Sequence, residues 1–312
     1  MRKAVAFALV VVGVGIAREV QASHRPTFWE RLGRPEALRE ARAREEVERL
    51  LFEAELFGWD APATPDRLRL ALFVLSQLDV ERAADVRLRF LLGRVLCLLG
   101  EWKRGASVLE AAIEEAPSHP MVGEALFRLA IAHAWLGERD REIALYDAFL
   151  ERTTSPAMRA TALSNRAEAR MARGDLNGAV RDYRASLAIE ADPVATLGLA
   201  VALDRLGDLP AALVEAERAL LLDPDAERLN DSRVFFVPAY ERHWYEALLA
   251  MAAARRAEDE AEALSHRQRA AEHFAAYVRA ASPLDPWRTL AKARQHECER
   301  GVARARSSRV RR

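Results

Sequence analysis

A short phrase returns four times in this chain of 312 residues: Leu99-Gly100-Glu101, Leu136-Gly137-Glu138, Arg173-Gly174-Asp175 and Leu206-Gly207-Asp208. Its glycines stand 37, 37 and 33 residues apart, and a fixed period in this range is the sequence mark of a stacked-repeat solenoid. Each phrase interrupts an apolar helical pattern. Glycine tolerates the left-handed conformation that ends a helix, and an acid just after it suits the positive N-terminus of the next one. Each phrase therefore predicts a helix-turn-helix hinge.

Positions counted from these glycines repeat as well. Small residues follow five later at Gly105, Ala179 and Ala212, with Glu142 as the departure. Leu109, Tyr146, Tyr183 and Ala216 come at nine, and Ala112, Phe149, Ser186 and Ala219 at twelve. These three places share one helix face. The small residue lets two antiparallel helices approach, and the larger ones fill the space beside it. Pro117, Pro156, Pro193 and Pro224 then close the units, because a helix does not continue through proline.

The pattern resembles the tetratricopeptide repeat family. Asn165, Ala167, Gly174, Asp175, Ala179, Tyr183 and Leu187 carry the resemblance in one unit, and Leu199, Ala200, Gly207, Asp208, Ala212, Ala219, Leu220 and Pro224 in the next. Leu92, Gly93, Gly100, Leu109, Ala112 and Pro117 carry it in residues 86–117, and residues 123–156 match less well. The resemblance implies an all-α fold, a right-handed superhelical solenoid of antiparallel helix pairs. The expected organisation is a divergent helix pair over residues 36–79, four repeat units over 80–224, and a linker with a degenerate fifth pair over 225–283. A capping helix over 284–300 and a basic tail over 301–312 complete it. Solenoid repeats touch only their neighbours, so Cys97 and Cys298 are expected as two free thiols.

Residues 1–22 are a separate object. Arg2 and Lys3 precede an apolar run from Ala4 to Ala17, followed by Val20-Gln21-Ala22, the order of a secretory signal peptide and its cleavage site. A linker is expected over 23–35, and the mature chain is expected to be exported, periplasmic or secreted. The full chain carries 47 basic and 47 acidic residues, so it is not a general polyanion binder and no nucleic-acid partner is expected. Six arginines and no acid fall within residues 300–312.

In the family the first helix of each pair lines the inner, concave wall. The resemblance therefore implies partner-binding positions at Arg87, Phe90, Arg94, Glu124, Phe127, Arg128, Trp135, Asn165, Glu168, Asp204 and Arg205. Aromatic and Arg side chains are the favoured anchors of interfaces. The alternative for Phe90, Phe127 and Leu197 is packing between helices. The function expected is a protein-binding scaffold or adaptor of the cell envelope, holding a protein or peptide segment in that groove. A second function is surface anchoring, with Arg304, Arg306, Arg309, Arg311 and Arg312 contacting anionic polymer or lipid. An enzyme is the least favoured reading. Glu262, His266 and His273, with His296-Glu297-Cys298, hold metal-ligand residue types. The seven-residue spacing of His266 and His273 nevertheless lacks the four-residue spacing that sets two imidazoles on one metal. No cofactor and no metal are expected.

Overall fold

The computed structural model describes residues 35–57, 63–80, 82–231 and 234–310. The expected signal peptide, residues 23–34 of the linker, Arg311 and Arg312 lie outside the described residues, as does the side chain of Arg309. All regular structure among the described residues is helical. Thirteen α-helices follow in order: α1 (Pro35–Phe57), α2 (Thr64–Ser76), α3 (Arg87–Leu98), α4 (Trp102–Glu115), α5 (Val122–Leu136), α6 (Arg139–Arg152) and α7 (Pro156–Ala172). Then come α8 (Leu176–Ile189), α9 (Pro193–Arg205), α10 (Leu209–Leu222), α11 (Arg242–Arg256), α12 (Glu260–Ala280) and α13 (Arg288–Val310), with short 3-10 turns at Arg228–Asn230 and Ala239–Glu241. No described helix is long and apolar enough to cross a membrane. The chain divides into two compact units, residues 1–122 and 123–312.

The four repeat glycines stand at the hinges. Gly100, Gly137, Gly174 and Gly207 have φ between 76° and 90°, a conformation that a Cβ would strain. After each, the acidic residue's amide reaches back to the preceding helix, as Asp175 N to Arg170 O at 2.9 Å and Asp208 N to Leu203 O at 3.0 Å. These bonds satisfy carbonyls that the helix end leaves orphaned. Asp175 and Asp208 then cap the next helix through the amides of Gly178 and Ala211. Pro156 and Pro193, read from sequence as unit ends, also open α7 and α9 as first helical residues.

In the first unit α1 packs on α2, α3 on α4, and α3 also touches α1 and α2. Their core joins Val47, Leu50, Leu68, Leu75, Leu88, Leu91 and Val95. Gly93 and Gly105 let α3 and α4 close up: a Cβ at Gly105 would stand 2.6 Å from Cys97 Sγ.

The second unit repeats this arrangement. Consecutive helices from α6 to α13 pack in turn, and the first helices of successive pairs, α7, α9 and α11, touch one another. They form one layer, as first helices do in a stack of pairs. The places counted from the glycines are buried here, including Tyr146, Phe149, Tyr183, Ala216 and Ala219. Gly198 faces Tyr183 so closely that a Cβ would meet the ring at 2.4 Å. Both cysteines are buried and unbridged.

The acidic stretch 258–262 leads into α12 at Glu260, and Asp259 caps the amide of Glu262 at 2.8 Å. Residues 234–238 form neither helix nor strand. One expectation changes at the C-terminal end. The last helix does not stop near Arg300 but runs to Val310 with Ala305 buried, so Arg304 and Arg306 sit on a helix rather than in a separate tail.

Candidate functional site

In the first unit the three proposed lining residues bind their own neighbours. Arg87 pairs with Glu48 of α1 at 2.7 Å, and Arg94 pairs with Glu55 of the same helix. Phe90 is 1% exposed and stacks on His119 with centroids 4.9 Å apart. Phe90 is therefore a packing residue, which corrects its assignment to a partner.

In the second unit the turn between α5 and α6 is covered by the chain itself. Residues 234–241 run across the ends of α5 and α6 and lead into α11. The Trp135 indole stacks on Phe235 at 5.7 Å, and Arg139 Nη2 donates to the carbonyl of Val237 at 2.5 Å. Phe236 meets Tyr245 edge-on at 4.9 Å. Arg139 also holds Glu142 at 2.7 Å. Glu142 is the residue that breaks the small-residue place of the repeat, and its buried carboxyl is pushed up by burial while Arg139 counteracts. The departure from the repeat pattern thus marks the helix start that anchors the docked segment.

Further along the layer Asn165 donates to the Tyr146 hydroxyl at 3.1 Å. Tyr245 of α11 donates to Glu168 at 3.4 Å. Burial first, then the charge of Glu142, push the Glu168 carboxyl up to about 8, against the pull of that hydrogen bond.

At the end of α9 the closure is complete. Asp204 is 0% exposed; it accepts from the Trp244 indole at 3.0 Å and pairs with Arg294 of α13 at 2.7 Å. Arg205, 6% exposed, pairs with Glu241 at 2.6 Å and lies over the rings of Trp244 and Trp287, 4.5 and 5.1 Å from their centroids. The Tyr277 hydroxyl lies between Glu241 and Asp285, 3.2 and 3.1 Å away, and donates its one proton to either. Asp204 and Arg205, read from sequence as groove-lining, are thus interior residues that fasten α11 and α13 to α9. A buried ion pair of this kind needs its hydrogen bonds filled, and the indole and guanidinium donors fill those of Asp204.

What stays accessible is on α5. Trp135 is 42% exposed despite its stacking on Phe235. Arg128 lies seven residues before it, two turns along one face, and Glu124 stands 3.7 Å from Arg128. Phe127 turns the other way and packs against Tyr146 and Phe149, which is the packing alternative.

Sequence reasoning passed over one cluster. His243 and Glu246 of α11 meet His273 of α12, and one ligand atom from each lies within 4.8 Å of the others. Burial raises the Glu246 carboxyl, but hydrogen bonds from His273, Arg242 and His243 outweigh it and hold the group down to about 2. Glu262 instead faces His266 at 3.5 Å, apart from this cluster. Arg306 of α13 reaches Gln268 at 3.3 Å, and Arg304 is exposed.

No family model matches the chain, and no curated protein matches it. Among solved structures, "MamA MSR-1 C2" is similar at 17% identity, covering 62% of this chain and 99% of its own, with a TM-score of 0.50. "MamA 41-end from Desulfovibrio magneticus RS-1" aligns at 18% identity over 62% of this chain and 98% of its own, with a TM-score of 0.49. The chain therefore has the all-helical, paired-helix fold of the first of these structures.

Proposed function

We propose that the protein is a binding scaffold, a stack of helix pairs that holds a segment of another protein on its layer of first helices. The observation that carries this reading is the docked segment 234–241: Phe235 on Trp135 and the Val237 carbonyl on Arg139. A face that seats one extended stretch with an aromatic contact and a backbone hydrogen bond has the chemistry to seat another. The half-exposed ring of Trp135 touches that stretch, and Arg128 lies two turns before it on the same face of α5. A large ring and an Arg are the residue types that anchor interfaces, since each buries much area and offers a directed donor.

The partner we favour is a protein of the cell envelope, met after export. That part rests on Arg2, Lys3 and the apolar run ending at Val20-Gln21-Ala22. The reading is tested by placing a photocrosslinking residue at 128 or 135 in living cells, with position 184 on the exposed side of α8 as reference. A discrete adduct at 128 and 135, absent at 184 and lost from 128 when Trp135→Ala is added, is the expected result. Equal labelling at all three positions, or none, overturns the reading.

A further inference from the structure

His243 and Glu246 stand one turn apart on α11, and His273 comes from the facing turn of α12. Both imidazoles point at a single carboxylate oxygen: Nδ1 of His243 lies 3.1 Å from Glu246 Oε2, and Nδ1 of His273 lies 3.0 Å from the same atom. The two rings are 6.1 Å apart and tilted by 32°. Two neutral or two charged imidazoles crowded on one oxygen are a modest gain for a surface ion pair. They are also what a three-ligand metal site looks like with its donors drawn slightly together.

The distances fit that description. Zinc holds His nitrogens and carboxylate oxygens at about 2.0–2.2 Å in a tetrahedron, which spaces its donors by roughly 3.4 Å. The present 3.0 and 3.1 Å separations would open by a few tenths of an ångström, and the two imidazole donors, within 4.8 Å of each other, would settle to the same spacing. The set of two nitrogens and one oxygen suits a borderline ion better than magnesium or calcium, which prefer all-oxygen shells.

Support behind the ligands is in place. Arg242 Nε donates to the other oxygen of Glu246 at 2.8 Å. That bond fixes the carboxylate plane and leaves Oε2 facing the histidines, as an outer-shell partner does. The residues next in sequence to the two histidines are Trp244 and Phe274, both fully buried and packed edge-on at 5.7 Å. The backbone under each imidazole is therefore held by the core, so the donors are preorganised. All three side chains keep part of their surface, from 22% to 36%, which gives an ion entry and leaves a fourth position for water.

We propose that His243, Glu246 and His273 form a binding site for one Zn2+ ion, which clamps α11 to α12 and keeps one coordination position open. Both histidines coordinate through Nδ1, so each carries its remaining proton on Nε2, and Glu246 binds as the carboxylate.

The test uses the purified full chain, stripped with chelator and titrated calorimetrically with zinc chloride. One equivalent binds, and the melting temperature rises with free zinc as it must for an ion held by the folded state. His243→Ala, Glu246→Gln and His273→Ala each weaken binding by more than the about 10–100-fold typical of losing a mere outer-shell partner, while His266→Ala on the same helix leaves it unchanged. His273→Gln keeps a polar side chain toward Glu246 and covers the case in which the alanine variant does not fold. No saturable binding overturns the proposal. So does binding that survives loss of His243 and His273, or that falls equally with His266→Ala.

Discussion

The indole of Trp135 lies against the ring of Phe235, centroids 5.7 Å apart and planes 26° from parallel, though a hundred residues separate the two in sequence. Aromatic pairs of this geometry add about 0.5–1.5 kcal/mol beyond the area they bury. A double-mutant cycle of Trp135→Ala and Phe235→Ala, read by denaturant unfolding, is expected to show a coupling of that size. Additive losses would mean that the two rings do not meet in solution.

Asp204 supports a second expectation. Its carboxylate is fully buried and depends on Arg294 and Trp244. Asp204→Ala leaves the Trp244 indole N–H without its acceptor inside the protein and takes from Arg294 its buried partner, with Glu297 remaining at 2.9 Å, a loss of about 1–3 kcal/mol for the unsatisfied buried donor. Asp66→Ala breaks a pair with Arg69 that is 77% and 71% exposed, and exposed pairs are worth less than about 1 kcal/mol. Urea midpoints of the two variants check the contrast.

Two helical glycines should respond in opposite directions to alanine. At Gly198 the added carbon would stand 2.4 Å from the buried Tyr183 ring, and forcing a methyl into such a site costs about 1–3 kcal/mol. At Gly301 the nearest atom is the flexible Arg267 Cδ at 3.5 Å, so alanine contributes its helix preference, a gain of about 0.5–1 kcal/mol. Thermal melts of Gly198→Ala and Gly301→Ala decide it.

Glu168 ties stability to pH. Its folded pKa, about 8, stands above the 4.5 of the free side chain, so the folded state holds a proton that the unfolded state releases. Its contribution is complete below pH 4.5 and is lost as pH rises toward 8. Glu168→Gln removes the titrating group, so the fall in stability across that window should flatten relative to the parent chain.

The hinges were legible because their signal is local. A glycine with φ near +80° and an acid after it announce themselves within three residues, and the places nine and twelve later follow from helix geometry. The closure of the first-helix face was not legible, because Asp204 meets Arg294 and Arg139 meets Val237 across 90 and 98 residues. Such contacts leave no periodic trace. Glu142, noticed only as a departure from the repeat, was the one local sign of them. The end of α13 was misread from composition: its arginines suggested a solvated tail, while Cys298, Val302 and Ala305 already formed a stripe at helical spacing. The histidine cluster carried a usable signal in His243 and Glu246, three apart on one helix face. Its third member lies on the next helix, where ligand spacing along the chain says nothing.

The central claim is that the turn between α5 and α6 is a seat for a chain segment and that residues 234–238 are its resident occupant. It is tested most directly by replacing residues 234–238 with a Gly/Ser stretch of equal length. Binding of a free peptide spanning residues 234–240 to that variant is then measured by fluorescence anisotropy, with circular dichroism confirming that the helices persist. Saturable binding that disappears when Trp135→Ala is added is the expected result. A folded variant that ignores the peptide, or binds it equally with and without Trp135, would contradict the account.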